Sequence, residues 1–268
     1  MRPLILTLKK DPDRRIDLSG LVPENLQGRS EKAIARLPLD LSQDPLEVGD
    51  IFRLRMGDPM SLRFEGASER FDFVGAGMAS GEIILDGPVG VQAGRLMRGG
   101  RLHIRGDVGP CAASRLAGGF LEIDGDAGDN LGGPLPGEMA GMSGGVVIVR
   151  GDVGPRAGHR LRRGLLVVEG KSGKEAGSRM IAGTLVLRGR LTGAPGPLMR
   201  RGTIVLIDGD CLAPPMFADC GSHRLVAASL LASELERLGL GFARKLRRPL
   251  RRLAGDMSVS GKGEIWLA

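Results

Sequence analysis

The chain has no tyrosine, one tryptophan and seven phenylalanines, so aromatic rings make up 3% of its 268 residues. A carbohydrate-active site normally needs aromatic platforms beside clustered carboxylates; the first is scarce here and no acidic cluster appears. Three cysteines, Cys111, Cys211 and Cys220, are odd in number and form no C-x-x-C pair. This speaks against a disulfide framework or a zinc site and for reduced thiols. His103, His159 and His223 stand alone, with no Cys, Ser or acidic pair at a catalytic or metal-binding spacing. No apolar run approaches the ~18–20 residues of a membrane span, and Met1 to Lys10 lacks the apolar core of a signal peptide. A cytoplasmic protein without membrane attachment is expected. No G-x-x-x-x-G-K-[ST] motif is present, so the many glycines do not form a nucleotide cradle.

What the chain has in excess is glycine, 44 residues, and it falls on a beat. A glycine precedes each run of aliphatic residues at Gly81, Gly100, Gly119, Gly145, Gly164, Gly183 and Gly202, at intervals of 19, 19, 26, 19, 19 and 19. Two places on stand Ile83, Leu102, Leu121, Val147, Leu166, Leu185 and Ile204; four places on stand Leu85, Ile104, Ile123, Val149, Val168, Leu187 and Leu206. Short runs of period two bounded by glycine are strands, and a fixed period means stacked units that bury these two columns as inner ladders. A third column, Met78, Met97, Leu116, Met142, Leu161, Met180 and Met199, reads as core packing.

The column five places after the glycine alternates in sign: Asp86, Arg105, Asp124, Arg150, Glu169, Arg188. In parallel strands ~4.8 Å apart each charge falls between two opposite ones and marks the register. Nineteen residues are too few for two helices per unit, and the strand is not followed by the Asn or Cys of leucine-rich repeats. The expected fold is an all-β core, a parallel β-helix of about seven coils of 19 residues, roughly 30 Å tall. It has an N-terminal strand cap and a C-terminal helix.

Three segments are expected: a cap over 1–61, the repeats over 62–210 with a loop insertion at 129–144, and a C-terminal helix and basic tail over 211–268. In the cap, Leu4 to Leu8, Val48 to Leu54 and Met60 to Phe64 read as strands, and Ser30 as the N-cap of a short helix. The insertion lengthens one beat by seven residues and should protrude as a loop. Leu225, Ala228, Leu231, Leu235 and Leu238 recur at helical spacing and Gly239 ends the helix.

Two surfaces stand out as candidate sites. Places one and three after the glycine should face outward, yet the later coils carry Val146, Ile148, Leu165, Val167, Val186 and Val205 there. An apolar outer stripe must be covered, by the chain's own helix or by another subunit, and a subunit is favoured for at least part of it. The second surface is Arg244 to Arg252, with six basic residues in nine, including Arg244, Arg247, Arg248, Arg251 and Arg252. It suits an anionic ligand or partner. Nucleic-acid binding would rest on this stretch alone and is not expected.

The unit G-x-x-G-x-x-x-G appears at Gly87 to Gly94, Gly125 to Gly132, Gly151 to Gly158 and Gly170 to Gly177. With Ala140-Gly141-Met142-Ser143-Gly144-Gly145 and the closing Gly255-Asp256 and Gly261-Lys262-Gly263-Glu264-Ile265-Trp266, it resembles the C subunit of formylmethanofuran dehydrogenase over nearly the whole chain. Ala113 in place of a glycine and the shifted Thr192-Gly193 depart from the pattern. The resemblance implies a right-handed parallel β-helix within a multi-subunit one-carbon enzyme. Of the known settings, the bacterial formyltransferase/hydrolase complex fits an arginine-to-lysine ratio of 31 to 7, typical of high-GC coding. There a formyl group passes from tetrahydromethanopterin through a methanofuran-like carrier to formate. The alternatives are a molybdenum or tungsten formylmethanofuran dehydrogenase and a structural module of a glutamate synthase-like assembly.

The resemblance places catalysis on sister subunits: an amidohydrolase-like subunit with its metals, a formyltransferase and a dehydrogenase-B-like subunit, with molybdopterin in methanogens. This chain is then a scaffold that binds no metal or cofactor of its own. The five arginines are expected to guide the polyglutamyl arm of the carrier.

Overall fold

In the computed structural model, residues 2–39, 45–208 and 214–268 are described. The chain opens with β1 (Pro3–Leu8), β2 (Ile16–Asp17) and the short helices α1 (Pro23–Leu26), α2 (Glu31–Ala35) and α3 (Val48–Ile51). Ser30 caps α2, its hydroxyl accepting from the Ala33 amide at 3.3 Å. Residues 48–51 are therefore helix, where the aliphatic pattern suggested strand. The Asp50 carboxylate accepts from the Glu47 amide at 2.9 Å, a start signal that outweighs the β-branched residues beside it. β3 (Phe52–Arg55), β4 (Asp58–Glu65) and β5 (Phe71–Asp72) follow. Phe52 packs on Phe64 and Phe71 with ring centroids 5.7 and 5.5 Å away, and this aromatic group fills the N-terminal end of the core.

Each repeat then contributes one strand: β6 (Glu82–Asp86), β7 (Arg98–Arg105), β8 (Gly118–Ile123), β9 (Ser143–Val149), β10 (Arg163–Val168), β11 (Thr184–Leu187) and β12 (Thr203–Leu206). The end of the chain supplies β13 (Ala218–His223), helix α4 (Val226–Arg237), a 3-10 helix over Gly241–Arg247, β14 (Leu250–Gly255) and β15 (Gly263–Leu267). All but β2 and β5 join one mixed 13-stranded sheet in the order β13-β14-β15-β12-β11-β10-β9-β8-β7-β6-β4-β1-β3. The sheet is open, with antiparallel strands at its two ends and parallel pairing between. The fold is thus an all-β core with few helices.

The register is the one the glycine beat requires. Ile83 lies against Leu102, Leu102 against Leu121, and the line continues through Val147, Leu166, Leu185 and Ile204. These side chains and the methionine column are fully buried. A second row of single parallel bridges joins Ser68, Val89, Val108, Ala127, Val153, Ser172 and Leu191. A third row of amide bonds links the turns, from Gln92 to Pro110, Cys111 to Asp129, Asn130 to Pro155 and Arg156 to Lys174, at 2.8–2.9 Å. Successive repeats therefore touch along three rows around one apolar interior.

Glycine is required where the coils come closest. A Cβ on Gly106 would lie 2.4 Å from the Gly87 carbonyl carbon, inside contact distance of rigid backbone. Ala113 keeps the left-handed turn of its glycine counterparts, at φ 56° against 66° for Gly94. Thr192 bonds to Ser172 as Gly173 does to Val153, and Gly196 at φ 72° follows Gly177 by one repeat. The final unit thus replaces its middle glycine and keeps the corner glycine in register.

Candidate functional site

The apolar stripe on the outer face lies beneath the chain's own C-terminal segment. Ile148, Val167, Val186 and Val205 are fully buried and Leu165 nearly so. They pack with Ala228, Ala232 and Leu235 of α4, with Leu240, Ala243 and Leu246 beyond it, and with Trp266. Helical spacing puts Ala228, Ala232 and Leu235 on one face of α4, and Gly239 ends the helix at φ +81°. Covering by another subunit is therefore corrected for these positions, because α4 and the following 3-10 turn already fill the space over them. Val146, with Phe120, stays half-buried at the margin of this second core.

The basic segment, expected to take an anionic ligand or partner, is folded into the 3-10 helix and β14. Arg244 and Arg247 lie on the 3-10 helix, Arg248 ends it, and Arg251 and Arg252 lie on β14. Three of the five arginines are already in ion pairs: Arg247 with Glu236 at 2.8 Å, Arg251 with Asp219 at 2.8 Å and Arg252 with Glu264 at 2.5 Å. Lys245 pairs with Asp208. Among the described residues, Arg244 and Arg248 are exposed with no such pair.

The charge ladder forms, with one break. Asp86 binds Arg63 at 2.9 Å and Arg105 at 3.2 Å. Asp124 then takes His103 at 3.0 Å, and Arg150 reaches to Glu122 at 2.8 Å. Beyond it the alternation resumes as Arg150, Glu169, Arg188, Asp208 and Lys245. The hydrogen bond from Lys245 holds the Asp208 carboxyl below the usual carboxylate range, against burial and with help from Arg188. Arg188 also stacks on Phe242 at 5.3 Å, so the ladder ties the C-terminal segment to the coils.

The histidines do not converge on a reaction centre. His103 lies opposite Glu122 in register but bonds to Asp124 on the surface. His159 Nδ1 lies 2.7 Å from Ser178 Oγ, a pair that the sequence hides because its members are one repeat apart. Burial, then the charges of Arg160, Arg156 and Arg179, push the His159 pKa down and favour the neutral ring. Ser178 is 4% exposed and out of reach of a substrate. Cys111 and Cys220 are free thiols, half-buried, and Cys211 lies outside the described residues. Among the described residues no three His, Cys, Asp or Glu side chains gather as metal ligands, and no helix is long and apolar enough to cross a membrane.

The 129–144 insertion folds back onto its neighbours. Asn130 Nδ2 donates to the Pro134 carbonyl at 2.8 Å. Glu138 accepts from Arg95 at 2.6 Å and from the Leu135 amide at 2.8 Å, and Arg115 lies 3.5 Å away. Burial would raise the Glu138 pKa, but Arg95, the Leu135 amide and Arg115 together hold it below the usual range. Beside the insertion opens a cleft of about 390 Å³, lined by Arg160, Arg162, Arg179 and Arg200 together with Met139, Ile181, Leu198 and Val259. These arginines carry no signal in the sequence, because they fall in three different repeats outside the core columns.

No protein-family model matches the chain. Over 85 residues it is 39% identical to the C subunit of the formyltransferase/hydrolase complex Fhc of Methylorubrum extorquens, a segment covering 32% of each chain. Over 96 residues it is 30% identical to the C subunit of a tungsten-containing formylmethanofuran dehydrogenase 2 of Methanococcus maripaludis, covering 35% of each. The matched segments thus span about a third of these curated relatives. The fold comparison extends much further. A chain in the crystal structure of the formyltransferase/hydrolase complex (FhcABCD) from Methylorubrum extorquens, in complex with methylofuran, superposes with a TM-score of 0.93 at 39% identity, covering 98% of both chains. The glycine units, the A-G-M-S-G-G segment and this full-length agreement point the same way: the chain belongs to the family of formylmethanofuran dehydrogenase C subunits, whose members include the C subunit of the formyltransferase/hydrolase complex.

Proposed function

We propose that this chain is the non-catalytic structural subunit of a formyltransferase/hydrolase complex in one-carbon metabolism. The observation that carries this is the 39% identity over 98% of a chain from the FhcABCD assembly. The complex would move a formyl group from tetrahydromethanopterin to a methanofuran-like carrier and release it as formate, with the chemistry on sister subunits. Those sisters would be an amidohydrolase-like subunit, a formyltransferase and a dehydrogenase-B-like subunit. The three rows of contacts between repeats support a right-handed parallel β-helix as the scaffold.

In this reading partners meet the chain beside its covered stripe, with Val146 and Phe120 as the half-buried apolar margin. Arg244 and Arg248, in no ion pair among the described residues, would carry the guidance of an anionic carrier arm. Arg247, Arg251 and Arg252 would act mainly as struts. Co-expression of the sister subunits with and without this chain tests the scaffold. Each sister should keep its own chemistry while the full assembly forms only when this chain is present. Full-sized assembly without it would refute the reading.

The 30% identity to the C subunit of tungsten-containing dehydrogenases favours one second reading, a place in a formylmethanofuran dehydrogenase. A redox-active metal-pterin partner would distinguish it.

A further inference from the structure

We propose that the cleft beside the 129–144 insertion docks an extended peptide segment of a partner protein, rich in carboxylates with aliphatic residues between them. Stacking creates this cleft from residues far apart in the chain. Amide bonds link Arg160 to Ser178 and Arg179 to Pro197, so Arg160, Arg179 and Leu198 rise one above another. Ile181 bonds to Leu161 and Arg200 to Met180, which stacks Arg162, Ile181 and Arg200 in a second column. Arg163 and Arg201 flank it, both exposed.

Among the described residues this concentration of charge has no internal answer. Among the described residues no carboxylate pairs with Arg162, Arg179 or Arg200, and Arg160 reaches only the carbonyls of Glu138 and Met139, at 3.3–3.4 Å. Glu138 itself is held by Arg95 and Arg115. The contrast with the charge ladder, where each arginine finds an acid, is plain. Guanidinium groups standing in a column suit carboxylates, which they can grip through two parallel hydrogen bonds.

The apolar residues decide the class of ligand. Met139 is 78% exposed and Leu198 37%, and Ile181 and Val259 lie half-buried between the arginines. A small anion would leave this apolar strip in water. A nucleic acid would find no ring to stack on, because no aromatic residue lines the cleft. A peptide carrying both kinds of side chain satisfies both kinds of wall. Arg162 and Arg200 are two coils apart, ~9.6 Å, and an extended peptide covers that in about three residues.

The inference rests on the subunit reading only in that a partner must supply the segment. The test is therefore binding by the full chain, whose failure is separate from any failure to recover partners from cells. The probe is a fluorescein-labelled 12-residue peptide repeating Glu-Glu-Leu, followed by fluorescence anisotropy. A 12-residue all-glutamate peptide and a 12-nucleotide single-stranded DNA serve as comparisons. The mixed peptide should bind about ten-fold more tightly than either, and more weakly as salt rises. The double variant Arg162→Gln/Arg200→Gln should weaken it about ten-fold with an unchanged melting temperature, since both side chains are exposed. Met139→Ser/Leu198→Ser should bring the mixed peptide down to the level of the all-glutamate one. Equal binding of all three probes, no binding by the wild-type chain, or indifference to the arginine variant would overturn the proposal.

Discussion

Replacing Leu235 with alanine tests whether α4 is an integral cover of the outer stripe. Leu235 is fully buried and packs in the cluster that contains Ile148, Val167, Val186, Val205 and Trp266. Truncating such a leucine costs about 3 kcal/mol, the lost transfer of its methyl groups plus the cavity they leave. With a urea slope of about 3 kcal/mol/M for a chain of this size, the midpoint should fall by about 1 M. Trp266 makes the assay local: it is the single tryptophan, 5% exposed, and its indole donates to Glu264 at 2.7 Å. Its emission should shift to the red before the circular dichroism of the coils is lost, because neighbouring units of a stack unfold separately when their interface is weakened. Leu230→Ala, at a position 68% exposed on the same helix, should change the midpoint by less than about 0.2 M. An unaltered midpoint and unaltered emission in Leu235→Ala would refute the covering role and return the stripe to a partner subunit.

Three further outcomes follow from the packing. Gly106→Ala should destabilise the chain by more than about 3 kcal/mol in urea titrations, because its methyl meets the Gly87 backbone at 2.4 Å, whereas Gly137→Ala, with open space around it, should cost about 1 kcal/mol. Burial would raise the Asp256 pKa, but bonds from the Ser258 hydroxyl and amide and the Leu198 amide outweigh it and hold the folded value below the usual range. A depressed carboxyl contributes stability in full above about pH 4 and loses it as pH falls through the folded pKa. Thermal melts between pH 2 and 6 should therefore show a shallower acid limb in Asp256→Asn than in the wild type. Glu169→Gln, which leaves Arg150 and Arg188 without their shared partner, should cost about 1 kcal/mol at low salt and less in 1 M salt.

The stacked sheet was legible because all the inner columns repeat on one shared beat, 19 residues with a single interval of 26, so a register could be read before any contact was known. The ladder from Ile83 to Ile204 and the methionine column lie where that spacing puts them. Ile265 extends the first ladder and Leu267 the second, yet β15 follows β12 only after a long connection that breaks the beat. Periodicity alone does not reveal such a rung. The helix at Val48–Ile51 is hidden in the sequence because two β-branched residues conceal a two-residue capping signal. Composition marked Arg244 to Arg252 as basic but carried no information on which acids fold against it, and Glu236, Asp219 and Glu264 come from three different elements. The arginine cleft is the same problem in reverse. Its members, among them Arg162, Arg179 and Arg200, share a wall only once the coils are stacked.

The subunit role is tested most directly by purifying the tagged chain from its own cells under native conditions, with mass spectrometry of what remains bound. A structural subunit of a formyltransferase/hydrolase complex should bring down a formyltransferase and an amidohydrolase-like subunit in one assembly. A chain recovered as a monomer, with no partner retained at low salt, would contradict it.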